Sequence, residues 1–147
     1  MRSFRKVLVP VDGSPTSNKA LVHALQIARD AGGSVRLLHT ADELAYVTGF
    51  EYTPDIVALA REAGERVLAD AKDIAQAAGV PAETNFIEFP QQRLGETVAD
   101  EARNWGADLI VVGTHGRRGV GRVLLGSGAE QVIRHAPVPV LVIRGEG

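Results

Sequence analysis

At 147 residues the chain is long enough to bury a core without disulfides or a structural metal, and one domain over residues 1–147 is expected. Apolar residues at 45% and charged residues at 23% are ordinary soluble-globular usage, while a net charge of −2 with scattered basic residues argues against nucleic-acid binding. Cysteine is absent, which excludes disulfides and thiolate metal sites.

Met1 to Lys6 lead into an apolar run of only five residues, too short for a signal-peptide core, and no apolar run approaches the ~18 residues of a membrane span. A cytoplasmic location with no membrane contact is therefore expected. The run Val7-Leu8-Val9-Pro10-Val11 predicts a central parallel strand covered on both faces. Pro10 has no N–H for the ladder and belongs at the strand's end or a bulge. Asp12-Gly13-Ser14-Pro15 reads as a turn and helix start, with Ser14 as N-cap and Pro15 at the first helical position. Leu21, Ala24, Leu25 and Ala28 supply that helix's apolar face, and Gly32-Gly33 stops it.

Val35 to Thr40 is the second predicted strand. Ala41 to Thr53 shows no period and holds Tyr46, Phe50 and Tyr52; a loop of this length suits a lid, a partner contact or plain surface. Pro54 opens a long helix with Ile56, Leu59, Ala60, Ala63, Val67, Ala71, Ile74 and Ala78 as its apolar positions, closed by Gly79. Glu83 to Phe89 is the third predicted strand. The next helix follows Pro90, with Leu94, Val98, Ala102 and Trp105 inward and Gly106 as its stop. Asp108 to Val112 is the fourth strand, Ser127 to His135 the last helix, and Pro139 to Ile143 the fifth strand. This alternation predicts a parallel sheet with helices on both faces and right-handed crossovers. Ligands of such sheets bind beyond the carboxyl ends of the strands, at a switch point, where Asp12 and Gly113 both fall.

The stretch Val112-Gly113-Thr114-His115-Gly116 through Gly126-Ser127-Gly128-Ala129 carries the chemistry. A strand stops at a glycine, a glycine-rich loop follows, and a serine opens a helix, an order that aims backbone N–H groups at a phosphate. A P-loop is excluded, because Gly121 to Gly126 has its spacing but Ser127 stands where the lysine belongs. The three lysines, Lys6, Lys19 and Lys72, all lie far from this loop in sequence. A dinucleotide fingerprint is excluded as well, since Asp12-Gly13-Ser14 replaces G-x-G-x-x-G after the first strand. A phosphoacceptor receiver domain would put an aspartate after strand three and a lysine after strand five, where this chain has Glu88-Phe89-Pro90 and Arg144-Gly145.

Gly113-x2-Gly116-x9-Gly126-Ser127 resembles the G-x2-G-x9-G-[ST] motif of the universal stress protein family. Val9 to Ser14, Leu37-Leu38-His39 and Arg134 to Val142 resemble its other conserved blocks, so the likeness spans nearly the whole chain. The resemblance implies an open five-stranded parallel sheet of order 3-2-1-4-5, of the Rossmann-like, adenine nucleotide hydrolase-like kind. It also implies an ATP site and a homodimer through strand 139–143, which as an apolar edge strand would be an association hazard if left uncovered.

By that resemblance, Asp12 would contact the ribose or the adenine edge beside the Pro10 and Val11 backbone, and Thr40 and Val112 would line the adenine slot. Gly113, Gly116, Gly126 and Gly128 would admit the phosphates, with Ser127 and Ala129 at the phosphate end and His115 and Arg117 flanking. Magnesium, if present, would bridge phosphate oxygens and waters. Plainer readings stand beside these roles: Ser127 as a helix cap worth ~1 kcal/mol, Asp12 as a turn cap, and Arg117, Arg118 and Arg122 as solvated surface. The function expected is an ATP-binding stress-response regulator or switch with an unidentified protein partner. Alternatives are a nucleotide-independent interaction module, or slow hydrolysis or self-phosphorylation on Ser127 or Thr114.

Overall fold

The computed structural model describes residues 4–41, 54–114 and 127–145. The tyrosine-containing loop after Ala41 and the glycine loop after Thr114 lie outside them. In chain order the described elements are β1 (Lys6–Pro10), α1 (Pro15–Ala31), β2 (Ser34–Thr40), α2 (Pro54–Ala77), β3 (Ala82–Ile87), α3 (Leu94–Trp105), β4 (Leu109–Gly113), α4 (Ser127–His135) and β5 (Val140–Ile143). The five strands form one parallel sheet in the order β3-β2-β1-β4-β5, as the resemblance implied.

The strand runs are uninterrupted in apolar residues because both faces are covered. Val7, Val9, Val35, Leu37, Leu109 and Val111 pack with α1 and α2, while Leu8, Leu38, Ile110 and Val112 pack with α3 and α4. Successive residues of a strand alternate sides, so each run fills two cores. Pro10 is the last residue of β1, the place its missing N–H requires.

Local signals placed α1 well. The Ser14 side chain accepts from the Ser17 N–H at 3.1 Å, Pro15 opens the helix, and Gly32 ends it in the left-handed region at φ 68°. All four of its predicted inward residues are buried.

The face predicted for α2 holds from Val67 onward, where Val67, Ala71, Ile74 and Ala78 pack on the core, and needs correction in the first turns. Ile56 and Leu59 are 48% and 66% exposed, and Ala60 and Ala63 are exposed too, whereas Gly64, Leu68, Ala71 and Ala75 are buried. A helix of 24 residues spans about 36 Å, and a strand of six about 20 Å, so the first turns of α2 overhang the sheet. Strand boundaries also shift: β1 and β4 are each displaced by one residue, to Lys6–Pro10 and Leu109–Gly113, and β2 and β3 each begin one residue early. β3 ends at Ile87 rather than Phe89, its last carbonyl taken by the Ala41 N–H, and β5 begins after Pro139.

A polar seam fastens α3 to the sheet. Glu101, 8% exposed, accepts from Asn85 Nδ2 of β3 at 2.9 Å and lies 3.1 Å from Arg36 Nε of β2. The Arg36 Nε–H is not aimed at that oxygen and makes no hydrogen bond, so the pair acts by charge rather than by a directed bond. Trp105, expected inward, sits half-buried at the rim: its indole N–H meets Glu83, and Lys6 and Arg36 lie over its ring.

Candidate nucleotide site

β1 and β4 are direct neighbours, with Val7 opposite Leu109 and Leu8 opposite Ile110. From β1 the chain leaves into α1 on one face of the sheet, and α4, which follows β4 in sequence, packs on the other, so a crevice opens between their carboxyl ends. It is a cavity of about 120 Å³. Pockets that enclose a whole drug-sized ligand run to ~300–1,000 Å³, so this one suits a single flat ring, with the rest of the ligand outside.

Eight of the thirteen residues expected at the site line this cavity: Pro10, Val11, Asp12, Thr40, Val112, Gly113, Gly128 and Ala129. Ser127 is the first residue of α4, beside them in the chain. His115, Gly116, Arg117 and Gly126 lie outside the described residues.

Asp12 is exposed and its Oδ1 accepts from the Ser14 N–H at 2.9 Å, so its turn-capping role is real. Its second oxygen has no partner among the described residues and is available to a ligand hydroxyl or amine. The Asp12 N–H donates to Ser17 Oγ at 3.1 Å. Gly128 and Ala129 of the first turn of α4 also line the cavity, and the positive end of a helix favours an anion. The crevice therefore offers both a carboxylate and a helix N-terminus. That pairing matches a ligand with hydroxyls on one part and negative charge on another.

Gly113 answers to a packing demand as well as any ligand. A Cβ there would lie 2.6 Å from Thr16 Cγ2 and 2.9 Å from the Thr16 carbonyl oxygen, so its absence lets α1 approach the end of β4. At Gly128 a Cβ would meet only the tip of the Leu94 side chain, at 3.1 Å, a contact that a small shift of that side chain relieves.

Ser14, Ser17, Leu38, His39, Leu94, Thr114 and Val132 also line the cavity, although the site motif does not include them. Leu38, Leu94 and Val132 were legible only as core positions; they are the top of the α3–α4 core, where it becomes the cavity wall. Ser17 carried a usable signal, because it is a polar residue on the same helical stripe as Leu21, Ala24 and Ala28, and it is buried. Thr114 is 3% exposed, and its Oγ1 accepts from the Gly145 N–H at 3.0 Å.

Comparison with known proteins agrees with the motif. The family model described as "Universal stress protein family" matches residues 3–144. A universal stress protein of Methanocaldococcus jannaschii is 34% identical over 143 residues, covering 96% of this chain and 82% of that one. The crystal structure of a universal stress protein family member from Burkholderia pseudomallei is 34% identical with a TM-score of 0.76, covering 97% of this chain and 98% of that one. A universal stress protein solved in complex with cAMP is 26% identical with a TM-score of 0.69, covering 99% of this chain and 100% of that one. With the strand order, the motif and the match over nearly its full length in agreement, the chain belongs to the universal stress protein family.

Proposed function

We propose that the chain binds ATP in the β1/β4 crevice and works as a nucleotide-dependent stress-response regulator or switch, as a cytoplasmic homodimer. The observation that carries this reading is the convergence of Asp12 and the first turn of α4 on one cavity at the switch point of the sheet. The cAMP complex of a relative alike over its whole length supports an adenine nucleotide as the ligand class. Leu38, Val112 and Val132 offer apolar walls to the base, Asp12 meets the ribose hydroxyls, and the start of α4 receives the phosphates.

Asp12 is the one carboxylate lining the described cavity, and no group of three metal-ligating side chains exists among the described residues. Magnesium would accordingly come with the nucleotide, held by phosphate oxygens and water rather than by a protein cage. No lysine lines the described cavity, so retention of ATP rather than fast turnover is expected. Of the two hydroxyls considered for self-phosphorylation, Thr114 is buried and engaged with Gly145, which leaves Ser127 as the acceptor to test.

The test is direct. Heat-denaturing the purified protein should release an adenine nucleotide, and the emptied protein should bind ATP on calorimetric titration. Asp12→Ala should weaken ATP by about tenfold or more, the usual worth of a hydrogen bond to a charged group. If no adenine nucleotide is released and no binding appears on titration, the reading fails. ATP recovered unchanged after hours would remove hydrolysis alone.

A further inference from the structure

β1 ends at Pro10, so the peptide joining Val11 to Asp12 lies beyond the regular ladder. Both of its polar atoms are nevertheless bonded, and each to a side chain. The Val11 carbonyl oxygen lies 2.7 Å from His39 Nδ1, and the Asp12 N–H donates to Ser17 Oγ at 3.1 Å. A carbonyl only accepts, so His39 Nδ1 must carry the proton and donate. One peptide plane is thus held at both ends, from β2 by His39 and from α1 by Ser17. Fixing that plane removes freedom from the Val11 ψ and Asp12 φ angles, which set where the Asp12 carboxylate points.

The clamp is itself supported. The His39 ring lies 5.5 Å from the Phe86 ring, centroid to centroid. α2 presses on both rings at Gly64, where a Cβ would come within 2.5 Å of Phe86 Cζ and 3.0 Å of His39 Cδ2. Ser17 is 6% exposed, and its own N–H is taken by Ser14 Oγ. A buried serine in a helix otherwise packed by alanine and leucine needs a polar task, and the Asp12 N–H supplies it. His39 and Ser17 both line the cavity beside Asp12.

We propose that His39 is a positioning residue for ligand binding: with Ser17 it clamps the Val11–Asp12 peptide and so aims the Asp12 carboxylate into the crevice. This rests on the nucleotide reading and adds to it a residue that acts through Asp12.

The test compares His39→Asn with His39→Leu in the full chain, with AMP as the calorimetric probe. Asparagine can place an N–H donor near the Nδ1 position; leucine has similar size and no donor. Both lose the ring packed beside Phe86 and should lower the melting temperature, His39→Leu the more because it also orphans the Val11 carbonyl. Affinity should separate them: His39→Asn within about threefold of wild type, His39→Leu about five- to tenfold weaker, the worth of one hydrogen bond. Ser17→Ala, which opens the other end of the clamp, should weaken AMP by a similar factor. In an Asp12→Ala background, His39→Leu should cost no further affinity, because the group it aims is gone. Equal weakening by the two His39 variants, or an undiminished loss in the Asp12→Ala background, would assign His39 to ring packing and overturn the proposal. Wild-type protein that binds neither AMP nor ATP would remove the nucleotide reading, and this inference with it.

Discussion

At the scale of single residues, Gly113 is the position where two demands meet. The proposed site would bring a phosphate close to it, and the fold places the Thr16 carbonyl 2.9 Å from where its Cβ would be. A methyl group there must displace helix backbone, which yields far less easily than the tip of a side chain. Gly113→Ala is therefore expected to cost about 2 kcal/mol of stability on urea unfolding, within the usual range for overpacking. Adding Thr16→Ala removes the Cγ2 contact but leaves the carbonyl, so it should recover only part of the loss. Full recovery would mean that the side chain alone is responsible. The motif glycine was legible from spacing, while its packing partner was not: Thr16 and Gly113 meet only because β1 and β4 are neighbours, which local pattern cannot state. Asp12 shows the same limit, since turn chemistry showed that it caps, and only the assembled crevice shows that one oxygen is left over among the described residues.

At the scale of elements, legibility followed the chemistry available at each helix end. α1 has Ser14-Pro15 at one end and Gly32 at the other, and its sequence alone placed it. α3 has no such start, because Arg93 stands at its N-cap and makes no side-chain cap bond. Help comes from another helix: Gln131 Oε1 of α4 accepts from the Gly95 N–H at 3.2 Å. The two helices touch there, and a Cβ on Gly95 would fall 2.5 Å from the Gln131 carbonyl carbon. Gly95→Ala should accordingly push α4 away, costing stability and, because Gly128 and Ala129 line the crevice, nucleotide affinity as well. Gln131→Ala should cost about 1 kcal/mol by leaving an orphaned N–H, with a smaller effect on affinity. Thermal melting and AMP titration of both variants check this, and a Gly95→Ala protein with wild-type affinity would show that α4 is held by other contacts. No pattern within α3 or α4 could have revealed this pairing, since it is a tertiary cap. The first turns of α2 were misread for a related reason: the apolar pattern runs on past the sheet, and only the length of the strands beneath decides which turns are covered.

At the scale of the molecule, the two sheet edges differ in kind. β3 shows Glu83 and Thr84 to solvent, whereas β5 offers the half-buried Val140 and Val142 and the 36%-exposed Leu141, with Ile133 of α4 at 44%. A charged edge discourages pairing and an apolar one invites it, so self-association is expected through β5. A two-fold contact brings each β5 close to its copy, so a charge introduced there faces its own image across the axis. Leu141→Glu should therefore turn a dimer into a monomer on sedimentation analysis at tens of micromolar, with little change in the melting of the monomer. Wild-type protein that sediments as a monomer at that concentration would remove the dimer expectation. The edge is also tied to the crevice: Gly113 pairs with Ile143, the Thr114 N–H donates to the Ile143 carbonyl, and Thr114 Oγ1 accepts from the Gly145 N–H. β5 thus ends bonded to Thr114, the residue that precedes the glycine loop in sequence. Freeing the edge should loosen that anchor, so the monomeric Leu141→Glu protein is expected to bind ATP several-fold more weakly than the dimer. Equal affinities would mean that assembly and nucleotide are independent, so that the proposed switch would have to act through a surface other than β5.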